Sequence, residues 1–438
     1  MSLRRDLGAF DATMVVVGGI IGAGIFINPS VVASRLPSSA LVLAAWVTGG
    51  AIALAGAFVF AELAAVLPRA GGEYAYLAEA YHPIVGFLFG WASLLLIQGG
   101  GIAAVAITFS QYALRLAGRT GAGPAPLAIA AIVLLAGVNV LGVKPGSRLL
   151  NVLVALKVAA LGVLIVGGLL VPPPRTAAPL QGTVLPLGGL AAFGTALVPI
   201  LFSYGGWQSA NLVAEETRDP RRTLPRALVA GTLLVVLVYI AANVVYLRAL
   251  GREGLAATLT PAADAVRRLF GSDADRFLAA AIAVSTFGFL DLCFLAPTRI
   301  SFAMARDGVF FPALARLHPR FQTPALAIVL QAAWSCALVA YGNYGGLVDS
   351  VVFADWIFFG LAAAAIFVFR RRGLAAPGRF RAPFYPVLPA LFVAAAALAV
   401  VSAVRSSPGR SAVGTALLAA GVPVYFYFRR RPAGAAER

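Results

Sequence analysis

Backbone groups carry the first candidate chemistry in this 438-residue chain. The stretch VGGIIGAGIF (17–26) lies inside an apolar segment, and four of the seven residues from Gly18 to Gly24 are glycine. Glycine costs roughly 1 kcal/mol per position in a helix relative to alanine, so this helix is predicted to open in its middle. An opened helix presents N–H donors and a positive dipole end to an anion, and unwound carbonyls to a cation. Lipid satisfies neither group, so the opening must face protein, water or a ligand. An α-amino acid zwitterion carries both charges close together and needs both kinds of partner. A helix-packing reading stands beside this one, because Gly18 and Gly22 form a GxxxG pair.

A second weak point is FSYGGWQSAN (202–211), where Gly205-Gly206 follow Pro199. A third candidate is Lys157, in NVLVALKVAALGV (151–163). Arginine outnumbers lysine 32 to 2 here, yet the cation deep in an apolar span is a lysine. An intramembrane charge costs from ~3 kcal/mol upward and marks a functional site by default. A compact ammonium that responds to burial suits a switch better than a guanidinium does. The alternative is snorkelling, since the near end of the span is about 12 Å away at the helical rise. Tyr239, in LVYIAANVVY (237–246), either reaches the opening or is a buried tyrosine with a satisfied hydroxyl. Asp291, near the middle of its span, reads as a protonated acid, a partner for a cation, or a proton carrier. Asp349 and Asp355 read as a solvated outer rim, and Glu62 as a partner for loop arginines.

Enzymatic signals are missing from the sequence. No Ser-His or His-carboxylate constellation occurs, and no GxxxxGK[ST] loop for ATP. His82 and His318 each precede a proline, without the Cys or carboxylate neighbours of a metal site. No metal, cofactor or nucleic-acid partner is expected.

The elements that must position these residues are membrane helices. The chain is 61% hydrophobic and 12% charged, with a mean hydropathy of +0.90. Residues 84–114, 176–214, 227–247, 321–348 and 382–404 carry no charge, and each exceeds the ~20 residues that span a bilayer. Twelve spans are predicted: 10–35, 41–66, 84–114, 124–143, 149–171, 189–213, 226–247, 276–305, 325–341, 346–369, 384–404 and 411–428. The basic N-terminus precedes no small-residue cleavage site and reads as leading into a retained first span. Cys293 and Cys336 fall inside spans, so no disulfide framework is expected. With both termini on one side, that side receives 22 of the 34 Lys and Arg residues and the other 11, with Lys157 left in a span. This bias places both termini in the cytoplasm of a multi-pass protein of the cell membrane. The net charge of +17 thus suits topology better than nucleic-acid binding. Spans one and six lie five spans apart and run in opposite directions. Paired interruptions of this kind point to an inverted-repeat transporter with a site near the midplane.

Several segments then resemble the amino acid–polyamine–organocation superfamily, specifically its L-type amino acid transporter-like branch. GGIIGAGIF is similar to that branch's first-helix signature. FAELAAVLPRAGGEYAYLAEAYHP (60–83), FSYGGWQSANLVAEETRDPRRTLPRAL (202–228) and RISFAMARDGVFFPALARLHPRFQTPALA (299–327) resemble its later motifs in order and spacing. The resemblance implies an all-α, five-plus-five inverted-repeat (LeuT-like) fold, with one repeat over 10–171, a second over 189–369 and two further helices over 384–428. It implies sodium-independent exchange of amino acids, here small or medium neutral ones, with proton-coupled symport of amino acids or amines as the alternative. It also implies that the N–H groups of Gly22, Ala23 and Gly24 meet the substrate carboxylate, and that the carbonyls of Ile20, Phe202 and Gly205 meet its amino group. Phe202 would close over the substrate as an outer gate, and Tyr239 would reach the site. Lys157 would stand where sodium-coupled relatives hold sodium, bridging to Ser285, or else Thr286, on helix eight. Gln208 stands where the branch usually has Asn, and Asp291 where it often has Asn or a small polar residue. Eukaryotic members pair with a single-span glycoprotein through a cysteine after helix three. AGRTGAGPAP (117–126) has none, so no disulfide-linked heavy subunit is expected; the composition looks bacterial. A bulky or proline substitution at Ala23 or Gly24 is expected to abolish binding before folding.

Overall fold

Helices account for every regular element of the computed structural model, which describes residues 3–119, 122–172, 189–258, 260–271, 274–341, 344–374, 380–406 and 408–429. The first half holds α1 (Ala9–Ile20), α2 (Gly24–Arg35), α3 (Ser39–Val66), α4 (Glu73–Ala80), α5 (Pro83–Ala92), α6 (Gly99–Leu116), α7 (Ala125–Val140) and α8 (Val143–Leu170). A π-helical turn, Ser93–Gln98, joins α5 to α6. The second half holds α9 (Gly189–Tyr204), α10 (Ser209–Leu212), α11 (Pro220–Ala257), α12 (Pro261–Phe270), α13 (Ala274–Leu295), α14 (Thr298–Arg306), α15 (Ala325–Tyr341) and α16 (Tyr344–Arg371). Two more helices, α17 (Val387–Ser406) and α18 (Pro408–Arg429), complete the chain. Among the described residues the only β-type pairing is an isolated parallel bridge between Leu7 and Thr217.

Seven helical segments are long and apolar enough to cross a membrane, and α1 with α2 make an eighth bent by 41°. The protein is therefore a multi-pass membrane protein. α7, α9 and α15 are shorter apolar helices. These segments fall on eleven of the sequence-predicted spans, and the twelfth, 346–369, lies along α16.

Packing places α1 at the centre. It contacts α8, α11 and α13, while α2 lies against α9 and α11. Small residues allow these approaches. A Cβ on Gly18 would lie 2.8 Å from Val154 on α8, and one on Gly231 of α11 would lie 2.7 Å from Val16. Both are closer than real Cβ contacts allow, so these helices pack at distances that only glycine permits.

Candidate functional site

α1 loses its helical hydrogen bonding at Ile21–Ala23. The Ile21 N–H still reaches the Val17 carbonyl at 2.9 Å, but Gly22 N–H turns back to Ile20 O at 2.9 Å. α2 then starts at Gly24, and its first turn leaves N–H groups without intrahelical partners. In the second half, α9 stops at Tyr204. Gly205 N–H donates to Phe202 O at 3.3 Å, and Gly206 adopts a φ of +111°. Gln208 Oε1 accepts from the Gly206 N–H at 3.0 Å, capping the break from within.

The two breaks touch. A Cβ on Gly19 would sit 2.4 Å from the Gly206 carbonyl oxygen, and one on Gly206 would sit 2.1 Å from the Gly19 oxygen. Backbone lies against backbone, so neither position has room for a side chain. Below the crossing, Asn28 on α2 donates to Pro199 O at 3.0 Å and to Ser203 Oγ at 2.7 Å, tying the second half of helix one to α9. Gly24 presses on the same residue: its Cβ would meet Ser203 Oγ at 2.7 Å and Cα at 3.0 Å. Packing thus accounts for Gly18, Gly19 and Gly24. It does not account for Gly22, whose nearest neighbour would be Phe289 at 3.9 Å.

Lys157, on α8, is 1% exposed. Its ammonium donates to Gly18 O at 3.2 Å and Ile21 O at 2.7 Å, so it does not snorkel. The last carbonyls of a helix lack intrahelical donors and sit at its negative dipole end. Lys157 therefore caps the C-terminus of α1, its amine donating to two of those carbonyls. Across the ammonium stem, a Cβ on Gly288 of α13 would lie 3.7 Å from Lys157 Cε. Ser285, one turn earlier on α13, is buried with its hydroxyl unpartnered. Thr286 donates within its own helix, to Ile282 O and Ala283 O.

Tyr239 is fully buried on α11 and donates its hydroxyl to Ile20 O at 3.0 Å. Its ring packs against Trp46 and Tyr204, with centroids 5.9 and 5.1 Å away, and forms an aromatic wall behind the break. Phe202, by contrast, is 45% exposed. Ile20, Gly22, Ala23, Gly24, Phe202, Gly205, Tyr239 and Lys157 thus gather around the crossing, with Ser285 one turn from the Lys157 contact. Asp291 lies elsewhere on α13: its Oδ1 accepts from Asn139 of α7 at 2.7 Å, and its Oδ2 has no hydrogen-bond partner.

Ion pairs and hydrogen bonds cross-link the end of the bundle nearest the N-terminus. Arg299 is fully buried and forms a two-pronged ion pair with Glu216, both contacts at 2.9 Å. Leu7 N–H donates to Glu216 O, and Arg218 N–H to Leu7 O. Arg306 pairs with Glu215 through two contacts of 2.8 Å, and Ala70 N–H reaches the same carboxylate. Burial alone would raise the Glu215 carboxyl. The Arg306 hydrogen bonds, the Ala70 N–H and the charges of Arg306 and Arg69 outweigh it and hold Glu215 below the usual carboxylate range. Lys144 and Asn151 both donate to Asp11 at the start of α1. Glu62 pairs with Arg370 at 2.8 and 2.7 Å, as the sequence suggested. Asp355 is a correction. It is no solvated rim residue but is partly buried on α16, the helix along which the loop helix α4 packs. The Asp349 side chain lies outside the described residues.

A profile of the amino acid permease family matches residues 7–428. The chain belongs to that family. It is 30% identical over 434 residues to the serine/threonine exchanger SteT of Bacillus subtilis, covering 98% of each chain. It is 31% identical to the human large neutral amino acids transporter small subunit 2, covering 99% of this chain and 82% of the relative. It is 32% identical to the human b(0,+)-type amino acid transporter 1, covering 100% and 90%. Family and relatives are transporters, not enzymes. Sequence reasoning missed Phe289, Asn28, the Gly19–Gly206 contact and the Arg299–Glu216 pair. A helix-eight aromatic one residue after Gly288 was the one available signal for the first.

Proposed function

We propose that this chain exchanges small or medium neutral L-amino acids across the cell membrane, without sodium, by alternating access. The observation that carries the reading is Lys157 on the carbonyls of Gly18 and Ile21. A fixed ammonium there supplies the positive charge that an opened helix one would otherwise take from a bound cation. The substrate carboxylate meets the N–H groups of Gly22, Ala23 and Gly24. Its ammonium meets the carbonyls of Ile20, Phe202 and Gly205. On binding, Gly22 N–H leaves Ile20 O for the carboxylate, which frees that carbonyl to share the substrate ammonium with the Tyr239 hydroxyl. Phe202, exposed here, swings in as the outer gate, and Lys157 with Ser285 transmits occupancy from helix one to α13. Substrate shifts the population of states only through its different affinity for each.

The fold in this proposal has twelve spans, both termini in the cytoplasm, and inverted repeats over 10–171 and 189–369 followed by the pair within 384–428. The antiparallel breaks that meet at Gly19 and Gly206 support it, as paired interruptions do in inverted-repeat transporters. The Arg299–Glu216 and Arg306–Glu215 pairs then form a closed inner gate. No disulfide-linked partner is part of the proposal, since Cys293 and Cys336 both lie within helices.

Uptake of labelled amino acid into sodium-free proteoliposomes tests this. Exchange requires amino acid inside the vesicle. Proton-coupled symport is the second reading, favoured by the unpartnered buried Asp291 Oδ2; it requires uptake into empty vesicles driven by a pH gradient.

A further inference from the structure

Three helices set off side by side from the end of the bundle that holds the N-terminus. Leu7 bridges to Thr217, and Arg218 N–H donates to Leu7 O at 2.9 Å just before α11 begins. Further along, a Cβ on Gly231 of α11 would lie 2.7 Å from Val16 of α1. On α8, Lys144 and Asn151 donate to Asp11 at 2.8 and 2.7 Å, and Lys157 reaches Gly18 O and Ile21 O. α1, α8 and α11 therefore run in the same direction. Phe10 lies level with the first turns of α11 and with Lys144–Asn151 of α8, and it is 61% exposed.

Arginine heads the outward stripe of both flanking helices. On α11 the exposed residues Arg222, Arg226, Ala230, Leu233 and Leu237 follow one another at helical spacing. On α8 the exposed residues Arg148, Val152 and Leu156 do the same. Apolar side chains exposed on a span face acyl chains, so the arginines before them stand at headgroup depth. Arg226 precedes Leu233 by about 10 Å of helical rise. The N-terminal segment adds exposed Arg4 and Arg5, held beside the start of α11 by Arg218 Nε donating to Arg5 O at 3.2 Å.

Carboxylates at this corner are engaged. Asp11 pairs with Lys144, Asp6 with Arg4, Glu215 with Arg306 and Glu216 with Arg299. Asp219 lies 3.9 Å from Arg222, with both side chains mostly exposed. Among the described residues Arg5, Arg148, Arg221 and Arg226 form no ion pair. Topology explains why arginine gathers at one end of a membrane protein. It does not explain arginine placed on the lipid-facing stripe itself, level with an exposed phenylalanine. A guanidinium fork matches the oxygens of a phosphate.

We propose that this corner binds the headgroup of an anionic phospholipid. Arg222 and Arg226 hold its phosphate, Phe10 lies beside the first acyl carbons, and a chain follows Leu233 and Leu237. The lipid braces the N-terminal segment against α11, and so against Glu216, whose carbonyl accepts from Leu7 N–H.

Native mass spectrometry of the full chain in detergent, titrated with dioleoylphosphatidylglycerol or dioleoylphosphatidylcholine, tests this without any transport, so failure here is separable from failure of the exchange reading. Wild type should hold the anionic lipid roughly tenfold or more tighter than the zwitterionic one, given two arginines at the headgroup. The double variant Arg222→Gln/Arg226→Gln should lose that preference, and Arg115→Gln, at the exposed end of α6, should keep it. All three side chains are exposed, so the fold should be retained. Equal affinity for the two lipids overturns the proposal. So does an undiminished preference in the double variant, or an equal loss in Arg115→Gln. Glycerol phosphate competing as well as the whole lipid also overturns it, because the site would then be one for a free anion. Hydrogen exchange across residues 3–12 gives a second readout: the anionic lipid should raise protection in wild type and leave the double variant unchanged, and an equal rise in both contradicts the bracing.

Discussion

Alanine at Gly206 and alanine at Gly22 should separate the architecture of the crossing from its binding role. At Gly206 the backbone sits at φ +111°, a conformation that costs an L-residue about 1–3 kcal/mol. The new methyl would also lie 2.1 Å from the Gly19 oxygen, which is backbone and cannot swing aside. Strain and clash together put the loss at ~3 kcal/mol or more, in the tail of single-substitution effects, against a total stability of roughly 5–15 kcal/mol. At Gly22 the methyl would meet only Phe289, at 3.9 Å, so the fold should not notice it. The methyl instead enters the opening where the carboxylate is proposed to sit. Thermal unfolding in detergent and exchange kinetics in proteoliposomes read the two effects. Gly206→Ala should unfold several degrees lower. Gly22→Ala should keep the wild-type midpoint and raise KM about tenfold or more, equivalent to ~1.4 kcal/mol. Wild-type KM in Gly22→Ala refutes the binding role, and wild-type stability in Gly206→Ala refutes the backbone contact. Gly24 is a poor probe, contrary to the sequence expectation. A side chain there collides with Ser203 and disturbs α2 against α9 before it tests binding.

Three further outcomes follow from the same geometry. Lys157→Ala strips the α1 carbonyls of two charge-assisted hydrogen bonds, each worth about 1.5–3 kcal/mol; exchange should fail or uncouple while size-exclusion behaviour stays native, and normal exchange kinetics would refute the switch role. Glu216→Gln leaves Arg299 buried without its counter-charge, at about 3–5 kcal/mol, so its unfolding midpoint should fall further than that of Glu215→Gln, whose pair is partly exposed. Glu215 is held below its ordinary value, so its contribution is present above the unfolded pKa and lost as pH falls through the folded one; wild type should lose more stability on acidification across the carboxylate range than Glu215→Gln, and parallel curves would count against the pairing.

Much of the crossing was legible because glycine runs and a solitary lysine are local signals. The break at Ile21–Ala23 and the break at Gly205–Gln208 follow from composition within one helix, whereas snorkelling of Lys157 stayed open until the structure placed its amine on the α1 carbonyls. The contact between the breaks was not, since Gly19 and Gly206 meet only through the fold. The same holds for Arg299 and Glu216: RISFAMARDG and VAEETRDP each look like solvated loop charge, and burial is decided by long-range packing. Asp355 was misplaced because hydropathy sets depth along one span but does not show that a loop helix folds back beside it. The π-helical turn at Ser93–Gln98 had no signal beyond the glycines that follow it.

The central claim is that one opening holds both charges of a zwitterion. Direct binding of labelled L-serine to the purified protein, competed by ethanolamine and by the acid lacking the amino group, tests it. The account predicts that unlabelled L-serine competes and that each single-charge analogue is at least tenfold weaker. Equal competition by the amine would contradict it, because the N–H groups of the opened helix would then contribute nothing.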